Sequence, residues 1–342
     1  MSTPTAICLD TEVFERLNFN FAATMLQEFV KLCKEREVNL LVPGPIKDEI
    51  RRHMFDRAVE LDAALDKVEH DARRKCSFLE SWDRYPKVPK ELDRRARLRT
   101  LCVDAWDGFA RQVTTDHLTY QGVSLAAIMS KYHFMHPPFA PGEKRKEFPD
   151  AISLAILDVY ARKHNTTVGV VSGDGGMKAG CDGYQNLLYF PSLASLLESF
   201  LAEDERVDLY VNLINASIDE LNGVLSQEVS ENGSFHHNDR SYKKVRDVLL
   251  GVDVSSFDVI GLGINECTIA FSAGFESEHE LSWEDFEPDG RPYEHEGWIK
   301  EEFGFGGTAK IRFSADDQEL VSCDQVEIDT HNFSLSKTPR SW

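Results

Sequence analysis

Apolar residues in the first part of the chain fall into short runs separated by longer stretches of helical periodicity. The short runs predict buried strands at residues 5–9, 38–42, 167–171 and 187–190, with the last at an edge of the sheet. Between the first two runs, residues 21–36 place their apolar side chains on one side of a helix. This strand–helix–strand order is typical of a βαβ unit and predicts a parallel sheet.

Residues 46–134 combine dense charge with helical periodicity. The pattern predicts a wholly helical insertion, with one long helix ending near residue 79, a second over 91–113 and a third over 123–134. Most charged side chains of such a segment lie on solvated faces. We therefore expect three residues near its start to face away from any functional site: Arg51, Arg52 and His53.

The stretch EKRKEFPDAISLAIL, residues 143–157, joins a short basic run to an apolar helix. Pro149 fits the first helical turn because its ring fixes φ and its missing N–H needs no partner there. Asp150 is stabilised by the positive end of the helix dipole. The sequence thus predicts a carboxylate held at a helix start, which serves either as a plain cap or as part of a site.

Residues 205–342 follow a different pattern from the first 204. A helix is predicted over 207–224, a polar linker over 226–244 and a short helical segment over 244–250. The β-like runs that follow are DVIGLGI, CTIAFSAGF, AKIRFSA and VEID, and GWIKEEFGFGG predicts a hairpin among them. We therefore expect a first domain to end near residue 204 and a smaller β-rich or α+β domain to follow.

Charge divides the chain at the same place. The formal net charge is −20, and residues 1–204 hold 27 basic and 30 acidic residues, whereas residues 205–342 hold 11 and 28. The second part alone therefore carries −17. Such an acidic chain is unsuited to broad capture of duplex nucleic acid, which depends on Lys and Arg, although a local basic groove remains compatible with it.

Cysteine usage and hydropathy indicate the compartment. Seven scattered cysteines without a CxxC pair favour reduced thiols over disulfides or a zinc site. The first residues lack the positive and apolar regions of a signal peptide, and no run of about 18 apolar residues occurs. We expect a cytoplasmic protein without a membrane segment.

Four acidic residues share one description, since each lies at a strand end or a helix start: Asp10, Glu49, Asp150 and Asp174. The carboxyl ends of parallel strands meet at one edge of a sheet, so these four side chains are expected to converge there. Clustered carboxylates repel each other unless protons or a cation neutralise them. Oxygen ligands of this kind suit Mg²⁺ or Mn²⁺.

Two other kinds of site fit the four motifs less well. None of the motifs contains histidine, which disfavours a His-ligated zinc enzyme. Asp10-Thr11-Glu12 also lacks the second aspartate that a phosphatase of the haloacid dehalogenase type carries at that spacing. Metal-assisted hydrolysis of a phosphodiester is therefore the favoured chemistry.

The segments ICLDTEVF, VPGPIKDEI, KRKEFPDAISLAI and VGVVSGDGGM resemble the PIN domain family of metal-dependent ribonucleases, over roughly residues 5–200. The larger PIN-like proteins with a helical insertion between the second and third acids are the most similar group. The resemblance implies a twisted α/β sheet with helices on both faces. It also implies an acidic pocket for Mg²⁺ or Mn²⁺ that cleaves single-stranded or structured RNA by water attack.

The resemblance assigns roles to further residues. Asp10, Glu49, Asp150 and Asp174 become the catalytic and metal-binding acids, and Thr11 and Ser172 become their hydroxyl neighbours. Where the family often has Asn after the Asp-Thr pair, this chain has Glu12, which we expect to face outward. The cations next to Asp150 are expected to hold the phosphate backbone or to lie in a solvated loop: Lys144, Arg145 and Lys146.

We therefore predict a cytoplasmic endoribonuclease domain in residues 1–204, with a helical insertion at 46–134. An acidic C-terminal domain in residues 205–342 would restrain or target it, as would a regulatory protein or a homo-oligomer, and the family suggests a toxin or defence system. One alternative is a flap-type DNA nuclease that threads a strand through the insertion. The other is a catalytically silent scaffold that binds RNA or protein.

Overall fold

The fold was analysed in a computed structural model that describes residues 3–83, 85–86, 93–140, 147–239, 241–286, 292–314 and 320–338. The chain forms two compact units. The N-terminal unit comprises Met1–Ala22 and Phe29–Leu193, and the C-terminal unit comprises Ala23–Glu28 and Ala194–Trp342. The division after Leu193 lies before the boundary at residue 204 that the sequence suggested.

A five-stranded parallel sheet forms the centre of the N-terminal unit. Its strands are β1 (Ala6–Leu9), β2 (Asn39–Pro43), β3 (Thr115–Leu118), β4 (Val168–Val171) and β5 (Leu187–Phe190). They lie in the order β3-β2-β1-β4-β5, and every neighbouring pair is parallel. All residues of β1 and β4 are buried, which explains why these strands are continuous apolar runs. The predicted α/β fold is confirmed.

Helices connect the strands of this sheet. They are α1 (Thr11–Arg16), α2 (Thr24–Glu35), α3 (Gly44–Lys75), α4 (Arg94–Ala110), α5 (Leu125–His133), α6 (Phe148–His164) and α7 (Gly175–Cys181), with a 3-10 turn at Ser77–Leu79. Edge-to-face and stacked ring contacts join Phe14, Phe21, Trp106 and Phe109, and so pack α1 and α4 together. Such ring pairs contribute about 0.5–1.5 kcal/mol each beyond the area they bury.

The prediction of a wholly helical insertion at 46–134 is wrong at one place. Residues 115–118, TDHL, form β3 and pair with β2 over Leu40–Pro43. Among the described strands, β3 has a neighbour on one side only, and its side chains are half-buried or exposed, so it has no continuous apolar run to reveal it. The long helix predicted before it is present as α3, and its buried residues are confined to the first three turns: Ile46, Ile50 and Met54.

The C-terminal unit is built on a four-stranded antiparallel sheet. Its elements are α8 (Leu193–Leu201), α9 (Arg206–Ala216), α10 (Ile218–Asn232), β6 (Ser234–His237), β7 (Lys243–Leu262), β8 (Glu266–Phe286), β9 (Pro292–Phe313), β10 (Leu320–Ile328) and β11 (Asn332–Leu335). The sheet order is β10-β9-β8-β7, and β11 and β6 form a separate parallel pair. The predicted α+β character is confirmed.

Several local predictions in this unit are wrong. The supposed linker at 226–244 contains the end of α10 and all of β6, and the supposed helix at 244–250 is the start of β7. The segment 297–307 lies inside β9 and is not a hairpin. Much of β7 is exposed, so its side chains show no alternation, and pairing with β8 determines its conformation. The predicted helix at 207–224 is divided between α9 and α10 at Ser217.

Alternation along β8 separates an apolar face from an acidic one. Ile269, Phe271, Ala273 and Phe275 are buried in the core of the unit. Glu276, Glu278 and Glu280 alternate with buried Ser277, His279 and Leu281, so these glutamates occupy the opposite face. The strand thus places three acidic side chains on one surface of its sheet.

No described helix has both the length and the apolar content needed to cross a membrane.

His279 is a fully buried histidine on the core face of β8. Its Nδ1 lies 3.1 Å from Asp247 Oδ1, and its Nε2 lies 2.7 Å from Ser277 Oγ. With Nδ1–H donating to the carboxylate, Nε2 accepts from the serine hydroxyl, so a neutral imidazole satisfies both partners. This network fixes the ring in one tautomer inside the core.

Acid is predicted to destabilise the C-terminal unit through this residue. Burial lowers the pKa of His279 below its ordinary 6.5, although Asp247 acts in the opposite direction. As pH falls below 6.5, the unfolded chain takes up a proton before the folded one, so the free energy of unfolding decreases. Urea unfolding at a series of pH values should show this decrease, and a His279→Asn variant should show less of it. Equal pH dependence in both proteins would contradict the role of His279.

Candidate functional site

Asp10 directly follows β1 and is 9% exposed. Its Oδ1 accepts the N–H of Thr11 at 2.8 Å and so caps α1, and its Oδ2 accepts the hydroxyl of Ser172 at 2.7 Å. Burial raises the pKa of Asp10, and the negative charges of Glu49 and Glu12 act in the same direction, whereas the two hydrogen bonds oppose the shift. Asp10 is therefore a buried carboxyl group held by fixed donors at the carboxyl end of the central strand.

Glu49 lies in the second turn of α3, where the chain leaves β2. The hydroxyl of Thr11 donates to Glu49 Oε2 at 3.0 Å. Two cationic or titratable groups of the same helix lie beside the other oxygen, with Arg52 Nη2 at 3.5 Å and His53 Nε2 at 3.8 Å from Oε1. The expectation that Arg52 and His53 face away from the site is therefore wrong. Their i,i+3 and i,i+4 spacing from Glu49 on one helix is the signal that would have placed them.

Asp150 lies in the first turn of α6, after Pro149. Burial raises the pKa of Asp150 to about 9, and a hydrogen bond that protonated Asp150 donates to Glu147 and the charges of Asp10, Glu147 and Glu49 add to the effect. The fold thus brings three of the predicted acids close enough to influence each other. It also adds Glu147, which sequence reasoning missed because this glutamate ends the charged run EKRKE.

Asp174 is engaged differently from the other three acids. Its Oδ1 accepts the N–H groups of Gly176 and Met177 at 2.5 and 3.0 Å, which caps α7. Its own N–H donates to Ser172 Oγ at 3.1 Å, and that hydroxyl in turn donates to Asp10. Ser172 therefore connects Asp174 to Asp10, and the described contacts of the Asp174 carboxylate are with the backbone of its own helix.

Glu12 holds the loop after β4 against α1. Its carboxylate accepts the N–H of Gly173 at 2.9 Å and pairs with Arg16 on the same helix. A Cβ on Gly173 would lie 2.5 Å from the Arg16 guanidinium and 2.8 Å from Glu12 Oε2. A side chain at residue 173 would therefore require the ends of the Arg16 and Glu12 side chains to shift. The hydrogen bond from the Gly173 N–H gives Glu12 a partner in the loop after β4, where an outward-facing side chain was expected.

The residues present fit a divalent cation by their donor chemistry. Among the described residues, no group of three or more His, Cys, Asp or Glu side chains is arranged as a ready metal-binding set. However, Mg²⁺ keeps several waters and needs only one or two protein carboxylates, so a closed set of ligands is not required. Burial, a hydrogen bond with Glu147 and the nearby charges of Asp10, Glu147 and Glu49 raise the pKa of Asp150, and a divalent cation would balance the negative charge of these carboxylates.

The basic run that precedes Asp150 lies outside the described residues. Its role as a phosphate contact therefore stays a prediction for Lys144, Arg145 and Lys146.

Replacing Asp150 by Asn is predicted to stabilise the metal-free protein. For an acid whose pKa is raised by folding, the stability is complete below the ordinary value of 3.8 and is lost as pH rises toward about 9. An amide does not ionise, so Asp150→Asn should raise the melting temperature at neutral pH, by about 2–4 °C for each 1 kcal/mol. Thermal unfolding in EDTA measures this effect.

Asp182→Asn provides the matched control, because Asp182 is exposed just beyond α7. It should leave the melting temperature unchanged. If Asp150→Asn instead melts at a lower temperature than wild type in EDTA, ionised Asp150 does not destabilise the metal-free protein, which would contradict this prediction.

Comparison with known proteins gives one match. The sequence matches the PIN domain family over residues 7–177, a segment that begins in β1 and includes Asp10, Glu49, Asp150 and Asp174. No curated protein and no solved structure matches the chain. The family match covers half of the sequence and agrees with the parallel sheet and the acids at its edge. The chain therefore belongs to the PIN domain family, whose members are generally metal-dependent nucleases.

Proposed function

We propose that this protein is a metal-dependent endoribonuclease that hydrolyses RNA phosphodiesters at Asp10, Glu49, Asp150 and Asp174, here called the carboxylate cluster. The observation that carries the proposal is the convergence of Asp10, Glu49 and Asp150. The charges of Asp10 and Glu49 act on the half-buried side chain of Asp150. Natural proteins rarely keep repelling carboxylates together without a functional reason. Mg²⁺ or Mn²⁺ is the proposed cofactor.

Asp10, Glu49, Asp150 and Asp174 would hold the cation. When bound, it would supply activation of water and stabilisation of the charge that develops on the phosphate oxygens. The hydroxyl of Ser172 fixes the orientation of Asp10, and that of Thr11 fixes Glu49. These two hydroxyls thereby hold the carboxylates in place before substrate arrives.

Arg52 and His53 are proposed to hold phosphate at the rim of the carboxylate cluster. Both contact Glu49, and His53 Nδ1 also bonds to Glu15. A guanidinium beside the acids reduces their repulsion and offers donors to the substrate backbone. Lys144, Arg145 and Lys146 are proposed to extend the same phosphate contact.

RNA is favoured over duplex DNA as the substrate. The net charge of −20 disfavours strong electrostatic capture of a duplex, so recognition depends on local contacts to an accessible strand. A flap-type DNA nuclease is the alternative that would use the long α3 insertion. A silent scaffold is the other alternative, and exposed Leu61, Leu65 and Val68 on α3 are the observation that favours protein binding.

The acidic C-terminal unit is proposed to restrain or target the nuclease in the cytoplasm. Glu276, Glu278 and Glu280 contribute to one negative face of its sheet. Negative charge on this face repels the phosphates of RNA, and dissolved salt shortens the range of this repulsion. A regulatory protein or self-association would provide further restraint. A place in a toxin or defence system would give such restraint a purpose, because free RNA cleavage harms the cell that makes the enzyme.

Cleavage assays with matched variants test the proposed function. Single-stranded RNA should be cut with Mn²⁺ or Mg²⁺ and remain intact with EDTA, whereas single-stranded and duplex DNA should be cut more slowly or not at all. Asp150→Asn should lower the rate by more than about 100-fold, because loss of a ligand exceeds the 10–100-fold effect typical of second-sphere changes. Exposed Asp182→Asn should retain full activity.

Each other outcome leads to a different conclusion. Equal cutting by wild type and Asp150→Asn would indicate a contaminating nuclease. Preferential cutting of branched DNA would support the flap-type alternative, and no cutting under any condition would support the scaffold.

Ser172→Ala is predicted to reduce cleavage by about 10–100-fold without unfolding the protein, because Asp10 loses the donor that orients it. The variant should require more Mn²⁺ for half-maximal activity. An unchanged metal requirement would show that the hydroxyl does not act through metal binding.

A further inference from the structure

A separate cleft lies between β3 and the second half of α6. It encloses about 520 Å³, within the range of cavities that hold small ligands. Residues 116–119 form one wall, and Tyr160, Lys163 and His164 are part of the other. Tyr160 lies ten residues beyond Asp150 on the same helix, which corresponds to about 15 Å along its axis. This β3–α6 cleft is therefore distinct from the carboxylate cluster but connected to it by one rigid element.

Two aromatic rings form a platform in the β3–α6 cleft. Tyr160 and His164 stack with ring centroids 4.3 Å apart and an interplanar angle of 28°. The Tyr160 hydroxyl donates to Asp116 Oδ2 at 3.1 Å, and Asn39 Nδ2 donates to the same oxygen at 3.2 Å. The tyrosine is thus fixed to both β2 and β3. A ring held in this way loses little freedom when a planar ligand stacks on it.

Among the described strands, β3 has no neighbour on the side away from β2, and residues 116–118 of this strand line the cleft. The N–H of Leu40 donates to the carbonyl of Thr114, so the even-numbered residues of β3 direct their main-chain groups toward β2. His117 is exposed and directs its N–H and C=O to the other side. An adjacent donor and acceptor of this kind match the hydrogen-bonding edge of an unpaired base.

A glycine closes one end of the cleft. Gly122 has φ of +84°, which a residue with a side chain rarely adopts, and a Cβ there would lie 3.1 Å from Val159 Cγ1. The loop after β3 can therefore approach α6 closely only because residue 122 is glycine. The result is a shaped cleft between the strand and the helix.

The cleft combines the three features needed to hold a nucleotide of a single strand. The rings of Tyr160 and His164 offer a surface for stacking, His117 offers main-chain donors and acceptors, and exposed Lys163 offers a cation for phosphate. Stacking on protein rings and edge recognition are the usual means of reading unpaired RNA bases.

We propose that the β3–α6 cleft binds one unpaired base of the RNA strand whose backbone passes the carboxylate cluster. The base is held a few nucleotides from the scissile phosphate, so the cleft selects where the strand is cut. The proposal rests on the proposed nuclease function for its biological meaning, although base binding itself can be measured without cleavage.

A comparison cavity is present in the same unit. It encloses about 560 Å³ and is lined by Lys34, Asn39, Arg111 and neighbouring residues, none of which is aromatic. Its size and charge are suitable for a phosphate, but it has no ring on which a base can stack. Lys34→Ala in that cavity is therefore a matched control for substitutions in the β3–α6 cleft.

Binding of short fluorescent homopolymers of A, C, G and U to full-length Asp150→Asn protein tests the proposal without strand cleavage. Adding Tyr160→Leu or His164→Ala should weaken binding of the preferred homopolymer by about tenfold, as expected for loss of one stacked base. Tyr160→Phe retains the ring and should change the Kd much less. Lys34→Ala should leave the preference among the four homopolymers unchanged.

Crosslinking supplies a measurement that does not depend on substitutions. A strand carrying a photoreactive base should attach to peptides containing residues 115–122 or 156–164. Attachment only elsewhere would overturn the proposal. So would an unchanged Kd in both Tyr160→Leu and His164→Ala, with His164→Ala decisive if the leucine variant unfolds, because His164 is exposed.

The outcomes for the β3–α6 cleft and for the nuclease are separable. If wild type cuts RNA but Tyr160→Leu and His164→Ala change neither binding nor cut positions, only the base-binding proposal fails. If wild type cuts nothing while ring-dependent binding persists, the cleft proposal stands and the nuclease function fails.

Discussion

Repulsion among buried and half-buried carboxylates is the constraint that the N-terminal unit has to accommodate. Asp10, Glu49, Asp150 and Glu147 lie close enough for their charges to act on one another. Their positions are imposed by fully buried β1 and by helices packed around it, so the side chains cannot separate without disturbing the core. Packing energy gained elsewhere in the unit thus maintains an unfavourable arrangement at the edge of the sheet.

Helix starts and hydroxyl groups reduce this repulsion. Asp10 caps α1, Asp174 caps α7, and Asp150 lies in the first turn of α6, so the positive ends of three helix dipoles point to the same edge. The hydroxyls of Ser172 and Thr11 add donors to two of the carboxylates. The site is therefore stabilised by neutral dipoles, which leave the negative charge available to a cation.

The sequence predicted the parts of the fold in which burial requires apolar residues along a whole segment. β1, β2 and β4 are apolar runs because both faces of the sheet are covered, and β5 keeps an apolar run although it lies at an edge and is largely half-buried. β3 was missed because its half-buried and exposed residues, TDHL, form no apolar run, and the first part of β7 was missed because it is paired but exposed. Their conformations depend on hydrogen bonds to neighbouring strands, which no local pattern encodes.

The candidate site shows the same division. Asp10, Asp150 and Asp174 could be predicted as site residues because strand ends and helix starts have local signals. Glu147 was missed because its approach to Asp150 depends on how α6 begins. Contacts of Arg52 and His53 with Glu49 follow from the rotation of α3, which helical spacing predicts only once the helix and its inward face are known.

Because both ends of α6 are fixed, the helix should not tolerate inserted residues. Glu147 and Pro149 define its start, and Asn165, with φ of 48°, ends it in a left-handed conformation shortly before β4 begins. One inserted residue would rotate everything beyond it by about 100° and move it by about 1.5 Å. We therefore expect insertions within α6 to disrupt the packing of its second half, whereas the loops outside the helix can change in length. The number of residues in α6 fixes the distance between Asp150 at its start and Tyr160 near its end.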